Sequence, residues 1–273
     1  MKKLMFVAAA IAAGVAVADV TSANVVGYVT ADRPADFQNF AGGSMFVNCG
    51  SGEGYTLADI KISGPTTKSN GRGNFICFMK SGVNPLVDKD RSFWWDPVAL
   101  AWRVRSGTNF NNDPTVADPT TVKINPGEGF LCNFGQATTK VTFAGAVIQG
   151  KDDGKSDARF EFSRPEGMQN FIASNVSGSE ITLADIQISG PTTKSNGRGN
   201  FICFMKTGVN PLVDKERSYW WDPVALTWRI RSGTNFNNDP TLTDPTTVKI
   251  PVGQGFLCNF GQATTVLSMP TSL

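Results

Sequence analysis

Apolar residues in this chain recur at every second position in short runs, and clusters of Gly, Asn, Pro and Asp separate the runs. Period-two alternation places successive side chains on opposite faces of an extended strand. The pattern predicts strands at residues 25–29, 45–49, 74–80, 92–96, 101–105, 121–124, 129–134 and 141–148. So many short strands predict an all-β protein, a sandwich or a barrel. No stripe of period 3.6 is long enough for an amphipathic helix. Thr56-Leu-Ala-Asp59, repeated at residues 182–185, carries the signature of one capped helical turn. Asn70-Gly71, just before Phe75-Ile-Cys-Phe-Met79, suits a tight hairpin turn, which needs positive φ at both central residues.

The pattern occurs twice. Residues 57–139 return at 183–265 with differences only at Lys61/Gln187, Ser81/Thr207, Asp90/Glu216, Phe93/Tyr219, Ala101/Thr227, Val104/Ile230, Val116/Leu242, Ala117/Thr243, Asn125/Pro251, Pro126/Val252 and Glu128/Gln254. The chain reads as a tandem duplication. A shared fold alone does not require such identity at surface Asn, Thr and Lys, because exposed positions tolerate change. Recent copying accounts for it, and so does one surface used twice. Upstream, Met45-Phe-Val-Asn-Cys49 lines up with Phe171-Ile-Ala-Ser-Asn175 in hydrophobic pattern but hardly in identity, an abrupt edge that favours a copied tract.

Residues 149–159 form a polar connector, leaving two tandem homologous β-sandwich or barrel-like domains at 19–148 and 160–273. Each is long enough for its own core. After Thr265 the second copy has only Val266-Leu-Ser-Met-Pro-Thr-Ser-Leu273, where the first continues Val141-Thr-Phe-Ala-Gly-Ala-Val-Ile148. The second copy is therefore expected to lack a closing strand or to end at a sheet edge. Such an edge could accept the Asn24-Val-Val-Gly-Tyr-Val29 run of another chain, giving a homo-oligomer.

Composition narrows the function. Met1-Lys2-Lys3, an apolar Ala-rich stretch and Ala16-Val17-Ala18 make residues 1–18 a secretory signal peptide, so the protein is expected to be bacterial and secreted, periplasmic or at the cell surface. Cleavage removes two of 25 basic residues and none of 23 acidic ones, leaving a formally neutral chain. With no basic block and no other long apolar run, neither nucleic-acid binding nor a membrane span after cleavage is expected. Histidine is absent, which excludes Ser-His-Asp and Cys-His nucleophile pairs and His-ligated zinc. Five cysteines sit at Cys49, Cys77, Cys132, Cys203 and Cys258. In an exported chain they suggest disulfides Cys77–Cys132 and Cys203–Cys258 with Cys49 odd, or else five small buried hydrophobes.

The start Ser22-Ala-Asn-Val-Val-Gly-Tyr-Val29, with Val122-Lys-Ile-Asn-Pro-Gly-Glu-Gly-Phe130 and Val141-Thr-Phe-Ala-Gly145, resembles uncharacterised secreted β-repeat proteins of Verrucomicrobia-like bacteria. The resemblance covers most of both halves and implies export and a β-fold; it carries no activity. The second half departs from it at Ile250-Pro-Val-Gly-Gln-Gly255.

The richest chemistry lies in residues 91–105, Arg-Ser-Phe-Trp-Trp-Asp-Pro-Val-Ala-Leu-Ala-Trp-Arg-Val-Arg, and in their twin at 217–231. As a hairpin, alternation sets Trp102 and Val104 on one face and Arg103 and Arg105 on the other, and turns Trp94 and Trp95 opposite ways. One tryptophan per copy is then expected at the surface. A flat aromatic beside Asp and Arg suits a sugar, through stacking on the ring and charged hydrogen bonds to hydroxyls. The candidate glycan-binding residues are Trp94, Asp96, Arg103 and Arg105, with Trp220, Asp222, Arg229 and Arg231. Three core tryptophans and arginines that stack on indoles or face solvent explain the same residues.

Oxygen-bearing side chains at Asn111, Asp113 and Asp118, and at Asn237, Asp239 and Asp244, are candidate calcium ligands. Asx turns beside proline account for that composition equally well. For catalysis only carboxylates remain, as in glycoside hydrolysis, and nothing pairs two of them across a cleft. Glu128 becomes Gln254, so it is no acid required in both copies, and Gly64-Pro-Thr-Thr-Lys-Ser69 lacks the glycine a phosphate-binding loop needs before its lysine. The sequence thus points to a non-catalytic exported structural or interaction protein, with polysaccharide or other envelope proteins as partners. The alternatives are a bivalent carbohydrate binder and a carboxylate-dependent glycosidase.

Overall fold

A computed structural model describes residues 26–32, 38–42, 46–47, 55–64, 74–79, 87–106, 111–125, 127–133, 139–147, 159–164, 170–190, 200–205, 213–232 and 237–271. The expected signal peptide, Cys49, the Asn70-Gly71 turn and nearly all of the connector lie outside these described residues.

The first half contains β1 (Val26–Asp32), β2 (Gln38–Gly42), β3 (Phe46–Val47), β4 (Tyr55–Thr56), β5 (Ile60–Ser63) and β6 (Asn74–Met79). It continues with β7 (Val87–Asp96), β8 (Ala101–Ser106), β9 (Asn111–Val116), β10 (Lys123–Ile124), β11 (Gly129–Asn133) and β12 (Lys140–Val147). The second half contains β13 (Arg159–Ser163), β14 (Asn170–Ser174), β15 (Ile181–Thr182), β16 (Gln187–Ser189), β17 (Phe201–Met205) and β18 (Val213–Asp222). It ends with β19 (Thr227–Ser232), β20 (Asn237–Leu242), β21 (Lys249–Ile250), β22 (Gly255–Asn259) and β23 (Val266–Pro270). The fold is all-β. Helix among the described residues is limited to the single 3-10 turns Leu57–Asp59 and Leu183–Asp185, and none is long and apolar enough to cross a membrane. In each turn an aspartate accepts hydrogen bonds from the preceding threonine, from Thr56 N–H and Oγ1 to Asp59 at 2.8 and 3.0 Å.

Each half is built on a six-stranded antiparallel sheet, ordered β2-β11-β6-β7-β8-β9 in the first and β14-β22-β17-β18-β19-β20 in the second. A smaller sheet accompanies it, with β12 between β1 and both β3 and β5, or β23 between β13 and β16. Short ribbons β4–β10 and β15–β21 complete the set. Alternation explains the burial: in β5 Ile60 and Ile62 face inward while Lys61 and Ser63 face out. The main core takes Ile76, Phe78, Phe93, Trp102 and Phe130 from the large sheet, Ile60, Ile62, Val141 and Phe143 from the small one, and Tyr55 and Ile124 from the ribbon.

Three expectations change. The equivalent of β14 is β2, since both pair with the matching strand β22 or β11 in matching register, Asn170 opposite Asn259 and Gln38 opposite Asn133. Residues 46–47 instead pair with β12, so the upstream alignment of 45–49 with 171–175 was out of register. The closing strand of the second half is present as β23, hydrogen-bonded on both sides and not at an edge. The candidate donor strand is occupied within its own chain, because β1 pairs with β12 along its whole length.

The halves touch through the β2 and β14 ends of the large sheets. Ser174 N–H donates to Gly127 O at 3.1 Å, and Glu128 and Ala173 form an isolated antiparallel bridge. Ile172, Cys203, Met205 and Leu257 make a second buried cluster, against which Met79 and Leu131 of the first half pack. Glycine is required here twice. A Cβ on Gly129 would stand 2.5 Å from Ile172 Cγ2, and one on Gly127, whose φ is +78°, would meet the Phe162 ring at 2.9 Å.

That contact loop also holds two of the differences between the repeated segments, Asn125/Pro251 and Glu128/Gln254. Glu128 takes Arg91 Nη1 at 2.7 Å and the Asn125 N–H at 3.0 Å. In the second half Pro251 has no N–H to satisfy, and Gln254 turns to donate to Gly255 O at 2.8 Å. The Asn125 N–H to Glu128 bond of the first half thus has no counterpart at Pro251 and Gln254.

Candidate functional site

The β7–β8 hairpin and its twin β18–β19 hold most of the residues singled out for binding. Phe93 stands opposite Val104, Trp94 opposite Arg103, Trp95 opposite Trp102 and Asp96 opposite Ala101. The predicted alternation is therefore correct: Phe93, Trp95, Trp102 and Val104 share the core face. Trp94 and Arg103 share the other, with Phe75 paired to Trp94 across β6.

Which tryptophan meets solvent is reversed. Trp94 and Trp220 are each only 5% exposed. Trp95 and Trp221 are half-buried, and each packs edge-on against Trp102 or Trp228 at 5.3 Å. Both lie inside the ladder, Trp94 between Phe75 and Arg103 on one face and Trp95 between Asn74 and Trp102 on the other, one residue nearer the hairpin end. Trp94 and Trp220 cannot offer an open ring to a sugar.

Asp96 and Arg103 do come together, Nε to Oδ2 at 2.5 Å, and Asp222 and Arg229 do so at 2.6 Å. The other Asp96 oxygen accepts the Val98 and Ala99 N–H groups at 3.0 and 3.2 Å. Partial desolvation works against ionisation, but the Ala99 amide, the Arg103 guanidinium and the Val98 amide together hold this carboxyl below the usual range. Asp222 is lowered by the same groups of its own hairpin.

Arg105 and Arg231 are buried, not on a solvated face. The Arg105 guanidinium lies 3.7 Å over the Phe75 ring, with Nη1 3.3 Å from Cys77 Sγ; Arg231 repeats this on Phe201 at 3.5 Å and Cys203 at 3.4 Å. They brace the second face of the sheet.

The expected disulfides are absent: Cys77, Cys132, Cys203 and Cys258 are free and buried. Cys77 stands opposite Leu131 while Cys132 stands opposite Ile76, so the two thiols leave opposite faces of the sheet. In the second half Cys258 faces the main core and Cys203 the smaller cluster. Burial raises the Cys77, Cys203 and Cys258 thiols, Cys258 most.

Asn111 and Asp113 lie in β9 and Asn237 and Asp239 in β20, their side chains outside the described part. Asp118 closes a turn, accepting Thr120 N–H and Oγ1 at 3.0 and 2.7 Å, as Asp244 does with Thr246. Those bonds, the hydroxyl first, hold both carboxyls below their ordinary value. Among the described residues no three of His, Cys, Asp and Glu form a group able to hold a metal.

Sequence reasoning missed the hairpin tip. Val98 is 93% and Leu100 72% exposed, Val224 92% and Leu226 71%. Leu100 and Leu226 both sit at φ 50°, a conformation that costs a branched residue about 1–2 kcal/mol and normally falls to Gly or Asn. The signal was legible as Asp-Pro-Val-Ala-Leu, a turn with neither Gly nor Asn. No family model, no curated protein and no solved structure matches this chain.

Proposed function

We propose that the protein is a non-catalytic structural or interaction component of a bacterial cell envelope or extracellular space. Its two tandem β-sandwich-like domains, 19–148 and 160–273, would have arisen by internal duplication and be exported by the signal at 1–18. The observation that carries this reading is that four described acids of the first half serve local structure. Asp59 holds Thr56, Asp96 holds the hairpin amides and Arg103, Asp118 holds Thr120, and Glu128 holds Arg91. A catalytic carboxylate pair instead needs two such groups facing one substrate.

Expressed with its leader in a bacterium, the protein should leave the cytoplasm and begin at Asp19. A full-length chain still carrying Met1 in the cytoplasm would overturn the envelope reading, and glycoside turnover that vanishes when one acid is neutralised would overturn the non-catalytic one.

A carbohydrate-binding role remains as a second reading, favoured by the half-buried Trp95 and Trp221. Two equal sites on one polymer would add avidity. Retention on an insoluble polysaccharide that disappears in the Trp95→Ala/Trp221→Ala double variant would support it.

A further inference from the structure

We propose that the β7–β8 and β18–β19 hairpin tips are lipid-inserting wedges that dock the protein on a membrane surface. The inference extends the envelope reading by naming the surface that the component meets, and it rests on that reading for compartment alone. Three observations at the tips carry it.

First, among the described residues all the exposed large aliphatics fall in two matching places: Val98, Leu100 and Val116, and Val224, Leu226 and Leu242. Val116 pairs with Arg103 beside the first tip, and Leu242 with Arg229 beside the second. Second, the Val98 and Ala99 amides and the Asp96 carboxylate at the tip are answered from within. Pro97 has no N–H, Val98 and Ala99 donate to Asp96 Oδ1, and Asp96 Oδ2 is neutralised by Arg103. A segment entering a medium without water gains from satisfying its amides internally, and Asp96 satisfies two of this tip's amides without a neighbouring strand. Third, the left-handed Leu100 and Leu226 place a large side chain at the apex where glycine would relieve the backbone.

Size selects lipid over a protein groove. Three aliphatic side chains present roughly 200–300 Å², against about 800 Å² per partner in a stable protein interface. A bilayer needs no shape complement, and a formally neutral mature chain needs no anionic headgroup.

The test uses the mature chain, residues 19–273, floated with neutral phosphatidylcholine vesicles at low and high salt. The native protein should float with the vesicles, indifferent to salt. The variant Val98→Ser/Leu100→Gly/Val224→Ser/Leu226→Gly should bind at least tenfold less while its Tm does not fall, since glycine accepts φ 50°. Failure of the native chain to float would overturn the proposal, as would undiminished binding by the variant. So would self-association that the variant abolishes without any vesicle binding, because the tips would then dock on a second copy. Export, read separately by fractionation and the mature N-terminus, can fail without touching this result.

Discussion

Asp96 shows how much one side chain decides in this protein. It closes the hairpin, neutralises Arg103 and holds the Val98 and Ala99 amides of the apex. Because its folded carboxyl titrates below the ordinary value of about 3.9, the stability it contributes is complete above that pH and is lost as pH falls through the lower folded value. Urea midpoints measured from pH 6 down to pH 2 should therefore drop on the acid side, and Asp96→Asn/Asp222→Asn should be less stable at pH 6 and fall less steeply. An unchanged acid slope in the variant would assign the titration to other groups. The buried thiols make a second residue-level case. Native protein should hide Cys77, Cys132, Cys203 and Cys258 from a thiol reagent, and denaturation without reductant should release all four. Alternation made the opposed faces of Trp94 and Trp95 legible in the sequence. It could not say that both faces of the large sheet are covered, and on that Trp94 and both arginines turned.

At the scale of elements, strands with alternating aromatic or branched residues were legible to within a residue or two, as at β6, β8, β11 and β12. β2 and β9 were not. Gln38–Gly42 and Asn111–Val116 have weak strand character, and each lies at the outer end of a large sheet, where pairing on one side suffices. The same holds for β20. Pro114 and Pro240 within these edges remove a donor from the row and discourage another strand from adding there. Close approach gives the sharpest test. Gly190 follows β16 at φ +94°, and a Cβ there would meet Thr264 O at 2.4 Å, a carbonyl held by the backbone. Gly190→Ala should lower stability by about 1–3 kcal/mol in urea denaturation, whereas a change within about 0.5 kcal/mol would mean the loop yields freely.

For the molecule as a whole, the contact between halves is what the sequence could not show, because it depends on Ile172 meeting Gly129 across a connector that specifies no geometry. Packing of Met79 and Leu131 onto the Ile172 cluster predicts one unfolding transition, coincident by far-ultraviolet circular dichroism and tryptophan fluorescence. Ile172→Asp should cost roughly 3 kcal/mol or more and separate the transition into two. Two steps in the native protein would instead mean that the halves unfold independently.

Near-identity of the two large sheets has a further consequence for the route to this state. Phe75-Ile-Cys-Phe-Met79 and Phe201-Ile-Cys-Phe-Met205 are the same word, and so, apart from one methylene and one hydroxyl, are their partners in β7 and β18. Side chains cannot tell the right neighbour from the wrong one. Tether length can: joining Met79 to Val213 in place of Val87 closes a loop about seventeen times longer, a bias of roughly 2–3 kcal/mol. During refolding that bias competes with exchange of strands between halves or between molecules. The newborn chain sorts its twins by distance, and the dissimilar β2 and β14 at one edge of the large sheets record which sheet is which.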